Sequence, residues 1–154
     1  MYLSLLSNNK KILFLFLLTF LFNSTNVNSN INNSVIISVG NTPITYLDLV
    51  KEMRLISLLN NITVDNSNRE TIKSVAVQGL INRRIKEIEI KKFKIENFNK
   101  KDLEGLIKRT SNNLGTDEKG LEQLLIKKKL KLKNIKERFE IDLKWNTLIF
   151  RLYN

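Results

Sequence analysis

TIKSVAVQGLINRRIKEIEIKKFKI, residues 71–95, is a stretch without proline and with a single glycine, far longer than an ordinary strand. Ile72, Ala76, Leu80 (with Ile81), Ile85 (with Ile88) and Lys92 (with Phe93) recur at three- and four-residue spacing. That one-sided periodicity predicts an amphipathic helix. Arg83, Arg84, Lys86, Glu87, Glu89, Lys91 and Lys92 fall between the apolar positions and read as its solvated face. At 1.5 Å per residue such a helix is about 35 Å long, enough to span a small domain. The other segments read as short pieces packed around it.

On the N-terminal side, VIISV (Val35–Val39) is β-branched and stops at Gly40-Asn41, a turn signal. Thr42-Pro43-Ile44 continues as a short extended piece, and a proline without an N–H suits a sheet edge. Thr45 with Asp48 three residues on predicts a helix N-terminus: the hydroxyl accepts from a first-turn N–H, and the carboxylate sits at the positive end of the dipole. Leu47, Val50, Met53, Ile56 and Leu58 carry that helix to about Leu59. The linker NNITVDNSN, residues 60–68, then leads into the long helix.

On the C-terminal side, Asn99 and Asp102 open a helix with Leu103, Leu106 and Ile107 on one face, ending near Asn113. Leu114-Gly115 closes it. Thr116-Asp117-Glu118 opens another, striped by Leu121, Leu124 and Leu125, which fades into lysines 127–129. A last helix runs from about Asn134 to Leu152, with Ile141, Trp145, Leu148, Ile149 and Leu152 on one face. Ile135, Phe139 and Leu143 lie off that stripe, so this helix has two apolar faces. Either it lies in the centre of the bundle, or its second face accepts another chain. The expected fold is mainly α: short N-terminal β-hairpin-like strands, then about five helices around one long central helix.

The chain has 154 residues, 42% of them apolar, with one proline and five glycines. That leaves room for one domain plus a targeting segment. Residues 1–29 read as a secretory signal peptide. Lys10 and Lys11 form the positive region, ILFLFLLTFLF (residues 12–22) the apolar one, and Val27 and Ser29 fit a cleavage site after Ser29. An uncleaved anchor is the competing reading, although eleven residues fall short of the roughly 20 that span a bilayer. Residues 30–34 are a polar lead-in, and residues 35–154 form the folded domain. Beyond residue 29 the chain carries 24 Lys+Arg against 15 Asp+Glu, a net charge of +9.

There is no cysteine and no histidine, so thiolate chemistry and the commonest general base and metal ligand are absent. No Gly-x-Ser-x-Gly or glycine-rich phosphate loop occurs. Glu87 with Glu89, and Glu137 with Glu140, read as solvated helix faces. The chain is expected to be no enzyme and to bind no metal or cofactor. Basic clusters at residues 91–94, 99–101 and 127–133 raise the question of nucleic acid. Lysine far outnumbers arginine, however, and comes with the excess of Asn and Ile that A/T-rich coding produces. An exported protein also meets little nucleic acid. Weak attraction to anionic membrane surface, or to acidic client segments, is the better expectation.

VIISVGNTPITYLDL resembles the opening of the SurA-type periplasmic chaperones: strand, turn, a short strand and a helix entered at Thr-x-x-Asp. AVQGLINRRIKEIEIKKFKI resembles the long helix of that family. The run from Asp102 through the "N-N-L" and "G-L" junctions to the Trp-x-x-Leu-Ile segment follows in order and spacing. Lys94 stands where the family has a glycine after the long helix, and Lys131 where it has one before the last helix. The sequence stops at Asn154, where the family continues into parvulin-type prolyl isomerase domains, so the resemblance carries no isomerase activity. It implies the chaperone module alone, a periplasmic holdase that takes unfolded outer-membrane protein segments into an apolar groove. Leu47, Met53, Phe139, Trp145, Ile149 and Tyr153 are the expected peptide-binding residues. The alternatives are a non-catalytic assembly subunit whose groove is filled by a partner chain, such as a separate parvulin-domain protein, or a membrane-anchored periplasmic protein.

Overall fold

The computed structural model describes residues 33–153, and the expected signal peptide lies outside them. Two strands, β1 (Val35–Val39) and β2 (Thr42–Thr45), precede five helices: α1 (Tyr46–Leu59), α2 (Arg69–Lys92), α3 (Lys100–Asn113), α4 (Glu118–Lys127) and α5 (Leu132–Tyr153). This is the mainly helical architecture expected, with the strands at the N-terminal side.

The strands pair antiparallel, Val39 with Thr42 and Ile37 with Ile44, with an irregularity between Val35 and Ile37. Gly40 makes the reversal at φ +56°, a conformation that L side chains resist. Thr45 ends the hairpin and caps α1. Its hydroxyl accepts from the Asp48 N–H at 3.2 Å, and the Asp48 carboxylate accepts from the Thr45 N–H at 2.9 Å. This reciprocal box satisfies two donors that would otherwise be orphaned.

The long helix is bounded by Arg69 and Lys92, two to three residues earlier than the periodicity suggests. Its entry is prepared by Asp65, whose carboxylate accepts from the Ser67 hydroxyl and from the N–H groups of Ser67 and Asn68. The Ser67 hydroxyl, then those two N–H groups, hold this carboxyl below its ordinary value of 3.8.

α1 to α4 all end in the same way. The N–H of the first residue past the C-cap reaches back three positions, and the next N–H reaches back five, which is the Schellman arrangement. Ile62 N–H donates to the Ser57 carbonyl, Ile95 to Ile90, Thr116 to Ser111 and Leu130 to Leu125, all at 2.9–3.0 Å. Each motif needs a left-handed residue. These are Asn61, Lys94, Gly115 and Lys129, with φ of 51°, 52°, 70° and 57°. Lys94 therefore does adopt the conformation that glycine favours. The second such position is Lys129, not Lys131. Lys131 instead precedes α5, and its N–H is held by the Asn134 side chain at 2.8 Å.

Three apolar clusters hold the bundle. Ile44, Leu49, Ala76 and Leu80 join the hairpin to α1 and α2, with Ile37, Val39, Met53, Val77 and Ile81 against them. Leu55, Leu58, Ile107, Leu121, Leu125, Leu130 and Ile135 join α1 to α3, α4 and the start of α5, with Phe139 at their edge. Ile90, Ile95 and Leu148 lock the ends of α2 and α5 together, with Ile141 and Trp145 packed on them. Lys86 pairs with Asp142 at 2.6 Å further back, so α2 and α5 run in the same direction.

Candidate functional site

Between α1, α2 and α5 lies a cleft of ≈ 230 Å³ floored by Leu55, Leu80, Leu130 and Ile141. Its walls are charged. Glu52 is only 4% exposed. Both of its oxygens accept from Arg83 at 2.9 Å, and Oε1 accepts also from Arg138 at 2.8 Å. Arg84 binds Glu87 at 2.6 Å and stands 3.9 Å from Asp48. Gly79 faces the same carboxylate: a Cβ placed there would lie 3.4 Å from Glu52 Oε1. A side chain there would be in ordinary contact with the carboxylate, so the position tolerates a Cβ.

This network corrects the reading of Arg83, Arg84 and Glu87 as a solvated face. The inward row of α2 is Ile72, Ala76, Leu80, Arg83, Glu87 and Ile90, apolar at both ends and ionic in the middle, while Ile85 and Ile88 turn outward. Glu52 was legible in principle, since it sits three residues from both Leu49 and Leu55 on the buried stripe of α1. Nothing in the local sequence names Arg138 as its second partner, 86 residues away. The cleft walls carry Lys51, Arg83, Arg84 and Arg138 against Asp48, Glu52, Glu87 and Glu137, which balance. Such a site clamps three helices in register and offers no unbalanced charge to a ligand. Among the described residues no group of three or more acidic side chains is placed to hold a metal ion.

The six expected peptide-binding residues are dispersed. Met53 packs on the hairpin cluster, Phe139 on the α3–α4 cluster and Trp145 on the Ile90–Leu148 cluster. Leu47 is half-buried at the start of α1. Ile149 and Tyr153 are exposed near the end of α5. Two different cores thus use much of both faces of α5, Ile135 and Phe139 facing one and Ile141, Trp145 and Leu148 the other, while Ile149 and Leu152 of the expected stripe stay exposed.

α2 also carries an apolar face that is left partly uncovered. Val77 and Ile81 pack under the hairpin, and the same face continues with Ile85 and Ile88, which are 45% and 36% exposed. A Cβ at Gly40, in the hairpin turn, would meet Ile88 at 4.0 Å, so the stripe emerges beside that turn. Val35 and Ile36, on β1, are exposed as well. A second hollow, of ≈ 250 Å³, lies between α3 and α5, with Phe98, Leu103 and Ile107 at its base and Lys100, Glu104, Glu118, Lys136 and Glu140 at its rim.

No described helix is long and apolar enough to cross a membrane. Compared with protein-family models, with curated proteins and with solved structures, the chain finds no match.

Proposed function

We propose that this protein is an exported holdase of the SurA type, which binds unfolded outer-membrane protein segments and performs no chemistry on them. The observation that carries this reading is the uncovered row of Ile85 and Ile88, prolonging the partly buried pair Val77 and Ile81 past the hairpin turn. Val77, Ile81 and Ile85 stand about 6 Å apart along the helix axis and Ile85 and Ile88 about 4.5 Å, while same-face residues of an extended chain stand about 6.6 Å apart. An unfolded barrel strand, apolar at every second residue, can therefore lay successive side chains along this row without strict sequence preference. The Lys10-Lys11 and residues 12–22 pattern supports export, and the order of segments from Val35 onward supports the family reading.

The test is aggregation of a urea-unfolded outer-membrane barrel protein diluted into buffer. The wild-type chain is expected to suppress it. Ile85→Asp with Ile88→Asp, both at exposed positions, should keep helical content and weaken suppression about tenfold, given the burial of two isoleucines. A folded double variant that suppresses as well as wild type overturns the reading. So does stoichiometric co-purification of one partner chain over the same residues, which would make the protein an assembly subunit.

A further inference from the structure

The last turn of α5 stands apart from the packed body. Leu148 is buried against Ile90 and Ile95. Beyond it Ile149, Phe150, Leu152 and Tyr153 are all exposed, Phe150 at 68% and Tyr153 at 78%. At about 100° per residue Ile149, Phe150, Leu152 and Tyr153 fall within an arc of about 160°, and Arg151 stands on the remaining side.

The ground beside the tip is basic. Ile90 and Ile95, which hold Leu148, bracket the turn Lys91-Lys92-Phe93-Lys94, whose four side chains are exposed. Arg151 is exposed within the tip itself. Glu89 is engaged by Lys92 at 3.3 Å, and among the described residues Lys91, Lys94 and Arg151 form no ion pair. Aromatic side chains next to lysines and arginine are the composition of a bilayer interface facing anionic headgroups. A second copy meeting this one through the same end would bring Lys91, Lys94 and Arg151 against their own counterparts.

We propose that the α5 tip and the adjoining Lys91–Lys94 turn form a docking surface for an anionic lipid bilayer, with Phe93, Phe150 and Tyr153 in the headgroup region and the lysines on the lipid phosphates. The surface is distinct from Ile85 and Ile88, so it stands or falls apart from the holdase reading.

The test moves the single tryptophan of the full chain. Trp145→Phe with Phe150→Trp reports on the tip, and Trp145→Phe with Ser74→Trp, at an exposed position in the first half of α2, serves as control. Both are mixed with vesicles of brominated phosphatidylcholine, with and without phosphatidylglycerol. The Phe150→Trp probe is expected to shift to the blue and be quenched about twofold only with phosphatidylglycerol, less so near 0.5 M salt where screening is strong. The Ser74→Trp probe should stay unquenched even where residues 12–22 bring the chain to the vesicle. Adding Lys91→Glu, Lys92→Glu and Lys94→Glu, or Arg151→Glu alone, should reduce the quenching while the far-ultraviolet circular dichroism is kept. Absence of quenching with phosphatidylglycerol overturns the proposal, as does equal quenching without it. A blue shift produced without lipid, by raising protein concentration or by adding polyglutamate, overturns it in favour of a second copy or an acidic protein.

Discussion

Lys94 and Lys129 hold left-handed backbone at the ends of α2 and α4, where a Cβ sits too close to the neighbouring carbonyl. The strain is of order 1–2 kcal/mol for an L residue. It persists because the motif it completes docks Ile95 on Ile90 and Leu130 on Leu125, burying both pairs. Lys94→Gly and Lys129→Gly should each stabilise the domain by about 0.5–1 kcal/mol, since glycine removes the strain but loses more entropy on folding. Urea denaturation reads the effect. Lys94→Ala and Lys129→Ala, which remove the charge and keep the Cβ, are the controls. If they stabilise as much as the glycines, charge and not backbone strain is responsible.

At the scale of the element, α2 is a helix whose buried stripe changes chemistry midway. Apolar residues fix its two ends to different cores, and Arg83 and Glu87 occupy the middle. Glu52→Leu would leave the arginines that now share its carboxylate facing apolar side chains in a partly closed cleft. Because both arginines reach some solvent, the cost should be about 2–4 kcal/mol, somewhat below that of breaking a fully buried pair. Adding Arg83→Met and Arg138→Leu should recover most of it, because the desolvated charges leave together. A Glu52→Leu variant as stable as wild type in urea would show that the network contributes orientation and little free energy.

At the scale of the whole molecule, the described residues carry a net charge of +9, spread over exposed lysines. Self-repulsion of that kind opposes the compact state. Raising salt from about 10 mM to about 0.15 M shortens the screening length from about 30 Å to about 8 Å, so the urea midpoint should rise. The exposed pairs at three- and four-residue spacing, such as Lys73 with Glu70 and Lys133 with Glu137, oppose the trend weakly, each worth a few tenths of a kcal/mol. A midpoint that falls with salt would mean that the ion pairs, headed by those of Glu52, outweigh the repulsion.

The sequence by itself determined what depends on neighbours along the chain. The hairpin turn at Gly40, the capping box of Thr45 and Asp48, the caps at Asn99 and Asp117 and the five helices all follow from backbone donors, side-chain reach and a 3.6-residue period. Contacts between distant segments were decided only by the tertiary structure. Charged residues at stripe positions look alike whether they face water or a partner helix, so Arg83 joined Arg138 at Glu52 without a local signal. The apolar faces of α2 and α5 were legible as faces, but which of them stays bare depends on which other elements arrive to cover it. The hairpin and α1 covered Val77 and Ile81 and left Ile85 and Ile88, while two separate cores claimed both faces of α5 as far as Leu148. Periodicity records that a side chain is apolar; only packing against another element removes it from water.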